Sequence, residues 1–120
     1  MKKLSTATGS PFQYKEHPDG ELIVYASDQH GNLQEKSAIV ITPYIIRLVK
    51  RAIQRHGRIM VGASRDNPPP QSLGVLIKAE HQSPQQLSYL IPILAEAGEC
   101  EILREGQAIV AKSVDGGRAR

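Results

Sequence analysis

The chain has one cysteine, no tryptophan, one phenylalanine and four tyrosines in 120 residues. A lone cysteine excludes an internal disulfide, and with it the disulfide-stapled scaffolds of small secreted domains. So few aromatic rings leave a base-stacking platform for single-stranded nucleic acid poorly supplied. No apolar run approaches the ~20 residues that span a bilayer. Met1-Lys2-Lys3 resembles the basic start of a signal peptide, but Leu4-Ser5-Thr6-Ala7-Thr8-Gly9-Ser10 places no apolar core behind it. A soluble, cytoplasmic protein without membrane contact is therefore expected. A glycine-rich phosphate loop is missing too, because Gly57 and Gly62 bracket a short strand instead of opening a helix.

Enzyme signatures are equally scarce. His17, His30, His56 and His81 show no paired ligand spacing, so neither a metal nor another cofactor is expected. Ser64 and Asp66 have no base nearby in sequence to activate them. Cys100 falls between charged neighbours in a strand, where an inward-pointing, inert thiol is the simplest expectation. No catalytic residues are assigned, and a non-enzymatic role is expected.

Acids are absent from one window. Residues 36–65 hold Lys36, Arg47, Lys50, Arg51, Arg55, Arg58 and Arg65 with no Asp or Glu, while the flanking segments are mildly acidic and the whole chain is only +3. Such a block attracts phosphates far better than the net charge suggests. The same charges could also serve only as a solvated face, or meet an acidic partner.

Residues 1–11 read as a flexible lead. Residues 12–41 then read as an antiparallel β-meander or arm: strands Phe12–Glu16 and Glu21–Ser27 around the turn His17-Pro18-Asp19-Gly20, and a third strand Leu33–Ile41. Ala38-Ile39-Val40-Ile41 lacks alternation, which predicts burial on both faces. A helix follows, with Thr42 as N-cap, Pro43 at the first position and Gly57 as the stop. Ile45, Ile46, Leu48, Val49, Ala52 and Ile53 form its apolar stripe. Arg47, Lys50, Arg51, Gln54 and Arg55 form its wet face. Arg58–Val61 predicts a short strand, and Gly62–Pro70 a loop held extended by Pro68-Pro69-Pro70. Gln71 or Ser72 caps a short helix Leu73–Ala79. Ser83-Pro84 opens another that ends at Gly98, with Pro92 inside it. Glu99–Arg104 and Gln107–Lys112 form a last hairpin, and residues 113–120 a disordered tail.

From Ser72 to Val110 the order is short helix, turn, helix and two-stranded hairpin, with Leu94-Ala95-Glu96-Ala97-Gly98 closing the second helix. This pattern resembles the winged helix-turn-helix of the arsenical-resistance and multiple-antibiotic-resistance repressor families. The resemblance covers roughly residues 42–112 and implies an α+β fold: three helices plus a two-stranded wing, preceded by the β-meander. It departs from the pattern at His81 and Gln82, and its recognition helix carries no Arg or Lys.

The resemblance implies sequence-specific binding of double-stranded DNA by a small homodimeric transcriptional regulator. In such a fold the second helix of the motif enters the major groove. Ser83, Gln85, Gln86, Ser88 and Tyr89 would then face bases. Arg104 and Gln107 on the wing, together with Lys78 and Ser72, would hold the backbone. Arg47, Lys50, Arg51, Arg55, Arg58 and Arg65 would contact phosphate or a partner. A winged-helix protein-interaction module, docking an acidic protein on the basic helix or the Pro-rich loop, is the alternative.

Overall fold

The computed structural model describes residues 1–27, 30, 32–63 and 67–114. Its N-terminal half is a four-stranded antiparallel sheet in the order β1 (Lys2–Ser5), β2 (Pro11–Glu16), β3 (Leu22–Ala26), β4 (Ile39–Ile41). The β2–β3 turn forms at Asp19-Gly20, where Asp19 Oδ1 accepts the Glu21 N–H at 3.0 Å and Gly20 takes φ +97°. Phe12, Tyr14, Leu22, Val24 and Ile41 are buried on one face of this sheet. The opposite face is left to solvent, as in many antiparallel sheets.

Two expectations fail here. Residues 2–5, expected in a flexible lead, pair with residues 11–14 as an edge strand. The third strand is short: Leu33 makes only an isolated bridge to Ser27, a 3-10 turn occupies Glu35–Ser37, and pairing resumes at Ile39. Val40 is 44% exposed, so this strand is buried on one face and not on both.

The helix α1 spans Pro43–His56. Thr42 Oγ1 accepts the Ile45 N–H at 3.3 Å, and Gly57 ends the helix at φ 71° with its N–H on Ile53 O at 2.9 Å. A side-chain cap of this kind contributes about 1 kcal/mol. Ile45, Val49, Ala52 and Ile53 are buried, with Ile46 and Leu48 half-buried at the edges of the stripe.

The remaining elements are β5 (Arg58–Met60), α2 (Leu73–Lys78), a 3-10 turn at Pro84–Gln86 running into α3 (Leu87–Glu96), then β6 (Cys100–Glu105) and β7 (Ala108–Ser113). Strands β5, β7 and β6 make a second antiparallel sheet in that order. The β6–β7 turn is Gly106-Gln107, with Gly106 at φ +63°. The fold is thus α+β, with three α-helices and two antiparallel sheets among the described residues.

Gly62 and Gly74 hold β5 and α2 in close contact. The Gly74 N–H donates to Val61 O at 2.9 Å, and a Cβ on Gly74 would stand 1.9 Å from the Gly62 carbonyl oxygen. Only glycine permits that approach. Pro68 is buried beside it, so the Pro-rich excursion is rooted in the fold. Ser64, Arg65 and Asp66 lie outside the described residues, as do residues 115–120 of the expected tail; Ser113 itself belongs to β7.

One hydrophobic core joins both sheets and all three helices. Helix α3 packs against both β6 and β1. Leu87, Leu90, Ile91, Pro92, Ile93 and Leu94 are all buried, and α3 continues through Pro92. No described helix is long and apolar enough to cross a membrane.

Candidate nucleic-acid interface

The outer face of α1 carries a run of exposed arginines. Arg47, Arg51 and Arg55 are exposed at four-residue spacing, a row about 12 Å long at the helical rise of 1.5 Å per residue. Gln54 is exposed beside them. The neighbouring cations are engaged. Lys50 Nζ sits 2.7 Å from Glu99 Oε1 in the turn between α3 and β6, and Arg58 pairs with Glu105 at the end of β6. No ion pair to Arg47, Arg51 or Arg55 occurs among the described residues. Arg55 and His56 in the last turn also complement the negative end of the helix dipole. At the opposite end Tyr44 is exposed beside Glu80. Hydrogen bonding to that carboxylate, and then its charge, raise the phenol above its ordinary value.

The face expected to read bases is arranged differently. Gln86 is buried; its Nε2 donates to Gln82 Oε1 at 2.9 Å, and its own Oε1 has no partner. Tyr89 meets Phe12 edge to face, with ring centroids 5.1 Å apart and planes at 79°. Ser88 lines a cavity together with Pro92. Of the five residues assigned to base edges, Gln86 is buried, while Ser88 and Tyr89 are half-buried. Strand β1 packs on α3, and Phe12 of β2 lies against the Tyr89 ring. Ser83 and Gln85 remain exposed, and Ser83 Oγ accepts the Gln85 N–H at 3.3 Å as a cap.

The backbone-contact residues also divide. Ser72 is fully buried and its Oγ accepts the Val75 N–H at 3.4 Å, so it caps α2 and is closed to a phosphate. Arg104 and Gln107 are exposed on the β6–β7 hairpin, and Arg104 Nη2 donates to Ala7 O at 3.4 Å, tying that hairpin to the β1–β2 turn. Lys78 is exposed at the end of α2. Arg65 lies outside the described residues.

Cys100 is buried with its Sγ 3.9 Å from Ile91 O. Burial, then the charges of Glu99 and Glu101, push its thiol up to about 11. His17, Asp19 and Glu21 bring potential ligand atoms within 4.8 Å of one another at the β2–β3 turn. His17 and Asp19 are exposed, and a turn cap accounts for the arrangement: the Glu21 N–H, and then His17, hold the Asp19 carboxyl below its ordinary value.

Sequence inspection missed the partner of α3. Phe12, the only phenylalanine, is buried and covers Tyr89. The available signal was the alternation of Phe12 and Tyr14, which marks an inward sheet face but not what it packs on. No family model matches the chain, and no curated protein or solved structure matches it.

Proposed function

We propose that the chain is a winged-helix protein that binds double-stranded DNA through its phosphate backbone, on the outer face of α1. The observation that carries this is the row Arg47, Arg51, Arg55, exposed and without an acid among the described residues, while Lys50 and Arg58 beside it are ion-paired. The winged-helix assignment is supported by the order helix, strand, helix, helix, strand, strand, with β6 and β7 joined by the Gly106 turn and β5 pairing β7 on its other edge. Phosphate contacts position a protein without reading sequence. In this arrangement base readout falls to Ser83 and Gln85, so sequence preference is weak. Three arginines alone neutralise few phosphates, which favours a homodimeric regulator that presents two such rows.

Fluorescence anisotropy of a labelled mixed-sequence duplex tests this, with salt raised from 50 to 200 mM. Binding weakens with a log–log slope of about −0.9 per neutralised phosphate, so one row gives about −2.7 and a dimer about twice that. No binding at 50 mM would end the proposal.

A second reading is a protein-interaction module. It is favoured by an open groove of about 590 Å³ between β5 and α2, where Met60 and the 38% exposed Val75 lie beside His56 and Arg58. An acidic segment with apolar anchors would suit it. Poly-glutamate competing as well as DNA at equal charge would support this alternative.

A further inference from the structure

A hollow of about 250 Å³ opens where the start of β1, the end of β2, helix α1 and the C-terminal end of α3 converge. Its floor is apolar, from Leu22, Ile46 and Ile93, and its rim carries the carboxylates of Glu16, Glu96 and Glu99. All of these wall residues and their chain neighbours lie among the described residues. Lys50 holds Glu99 at 2.7 Å, so that pair is neutral. Glu16 and Glu96 are exposed and make no ion pair among the described residues. Against them stands Lys2 on β1, also exposed and without an ion pair there. Helix α3 ends at the same place with no basic residue in its last turn, and the negative end of a helix dipole favours a cation. Two carboxylates and a helix C-terminus outweigh one ammonium, so the hollow attracts positive charge.

Tyr14 supplies an independent feature. It is only 5% exposed, and its hydroxyl makes no hydrogen bond among the described residues. The oxygen is nonetheless not sealed in, because Gln86 Oε1 is the one described side-chain N or O that is both sealed and unpartnered. The phenol oxygen therefore opens into the hollow that Tyr14 lines. Burial, and then the charges of Glu96 and Glu16, raise this phenol above its ordinary value, in keeping with a hydroxyl that faces both carboxylates. An apolar floor with a few placed polar groups is the make-up of a small-molecule site. The carboxylates do not converge on a metal. Among the described residues only His17, Asp19 and Glu21 bring three such ligand atoms within 4.8 Å of one another. Glu16, Glu96 and Glu99 stand too far apart as a set to share one ion, whereas an ammonium on a hydrocarbon body suits the space between them.

We propose that this hollow binds a small organic primary amine, its ammonium held between Glu16 and Glu96 with one N–H donated to the Tyr14 hydroxyl, and its hydrocarbon resting on Ile46 and Ile93. The site does not rest on the DNA-binding reading. The test is an amide-detected NMR titration of the full chain with 2-phenylethylammonium, with 2-phenylethanol as the uncharged analogue and 3-phenylpropionate as the anion. Saturable shifts are expected at residues 14–16 and 96–99. The alcohol should bind at least about fivefold more weakly than the amine, and the anion more weakly still. Glu16→Gln and Glu96→Gln should each weaken the amine about two- to fivefold, as exposed ion pairs do. Tyr14→Phe keeps the ring and should weaken it about two- to tenfold. Glu101→Gln removes an equally exposed acid outside the hollow and should change nothing. No saturation with the amine, equal binding of the alcohol, or unchanged affinity in both Glu96→Gln and Tyr14→Phe would each overturn the proposal. Tighter binding of Nα-acetyllysine N-methylamide than of 2-phenylethylammonium would also overturn it, assigning the hollow to a lysine side chain of a partner.

Discussion

Phe12 of β2 and Tyr89 of α3 meet edge to face at 5.1 Å, and this contact closes the N-terminal sheet over the helix that a groove-reading domain would leave open. Phe12 is almost wholly buried, so Phe12→Ala should cost about 3–5 kcal/mol. A double-mutant cycle with Tyr89→Ala should show about 0.5–1.5 kcal/mol of coupling, as edge-to-face pairs do. Urea denaturation of the four proteins measures both. Coupling near zero would mean that the sheet and α3 do not meet in solution.

Gln86 gives a prediction of opposite sign. Its buried Oε1 has no donor, while Gln82, which accepts from its amide, is only half-buried and water can replace that bond. Gln86→Leu should leave stability unchanged or raise it by up to ~1 kcal/mol, because an unsatisfied buried acceptor is removed. DNA affinity and sequence preference should not move. A relaxed sequence preference in a stable Gln86→Leu protein would restore Gln86 as a reading residue.

The crossing of Gly62 and Gly74 should be intolerant of a single methyl group. A Cβ on Gly74 meets the Gly62 carbonyl oxygen at 1.9 Å, so backbone must shift. Gly74→Ala should lose about 1–3 kcal/mol or more, within the range for overpacking. Gly106→Ala has open space around its Cβ and a positive φ of 63°, so only the left-handed strain of about 1–2 kcal/mol applies. Thermal denaturation should rank Gly74→Ala below Gly106→Ala.

Cys100 should resist alkylation in the native state. With its thiol pushed up to about 11, roughly one part in a thousand is thiolate at pH 8, and the side chain is buried besides. Iodoacetamide should label it slowly in buffer and rapidly in urea. The folded protein favours the neutral thiol, so this contribution to stability is fully present below the ordinary value of 9.0 and is lost as pH rises toward about 11. Cys100→Ala should remove that alkaline dependence from the urea midpoint.

Local signals made much of the fold legible. Thr42, Pro43 and Gly57 bound α1 because cap chemistry is written in residue type. Asp19-Gly20 marked the first hairpin, and Glu105-Gly106 the second for the same reason. Strand β1 stayed hidden because Lys2-Lys3-Leu4-Ser5 is an edge with only Leu4 turned inward, too little apolar pattern to register. The candidate interface was legible only in part. The basic row of α1 followed from spacing, since a helix face depends on its own sequence. The accessibility of Gln86, Ser88 and Tyr89 did not, because it depends on where a sheet remote in sequence comes to rest. Ser72 misled for a related reason: a good cap residue can be spent on its own helix and closed to any ligand.

The most direct test of the central claim compares the salt dependence of DNA binding for the unaltered chain and for Arg47→Gln/Arg51→Gln/Arg55→Gln. All three side chains are exposed, so the triple variant should fold normally. If these arginines hold the backbone, the slope of log affinity against log salt should become shallower by about 2.7 per protomer bound. An unchanged slope with intact affinity would place the DNA on another surface and contradict the account.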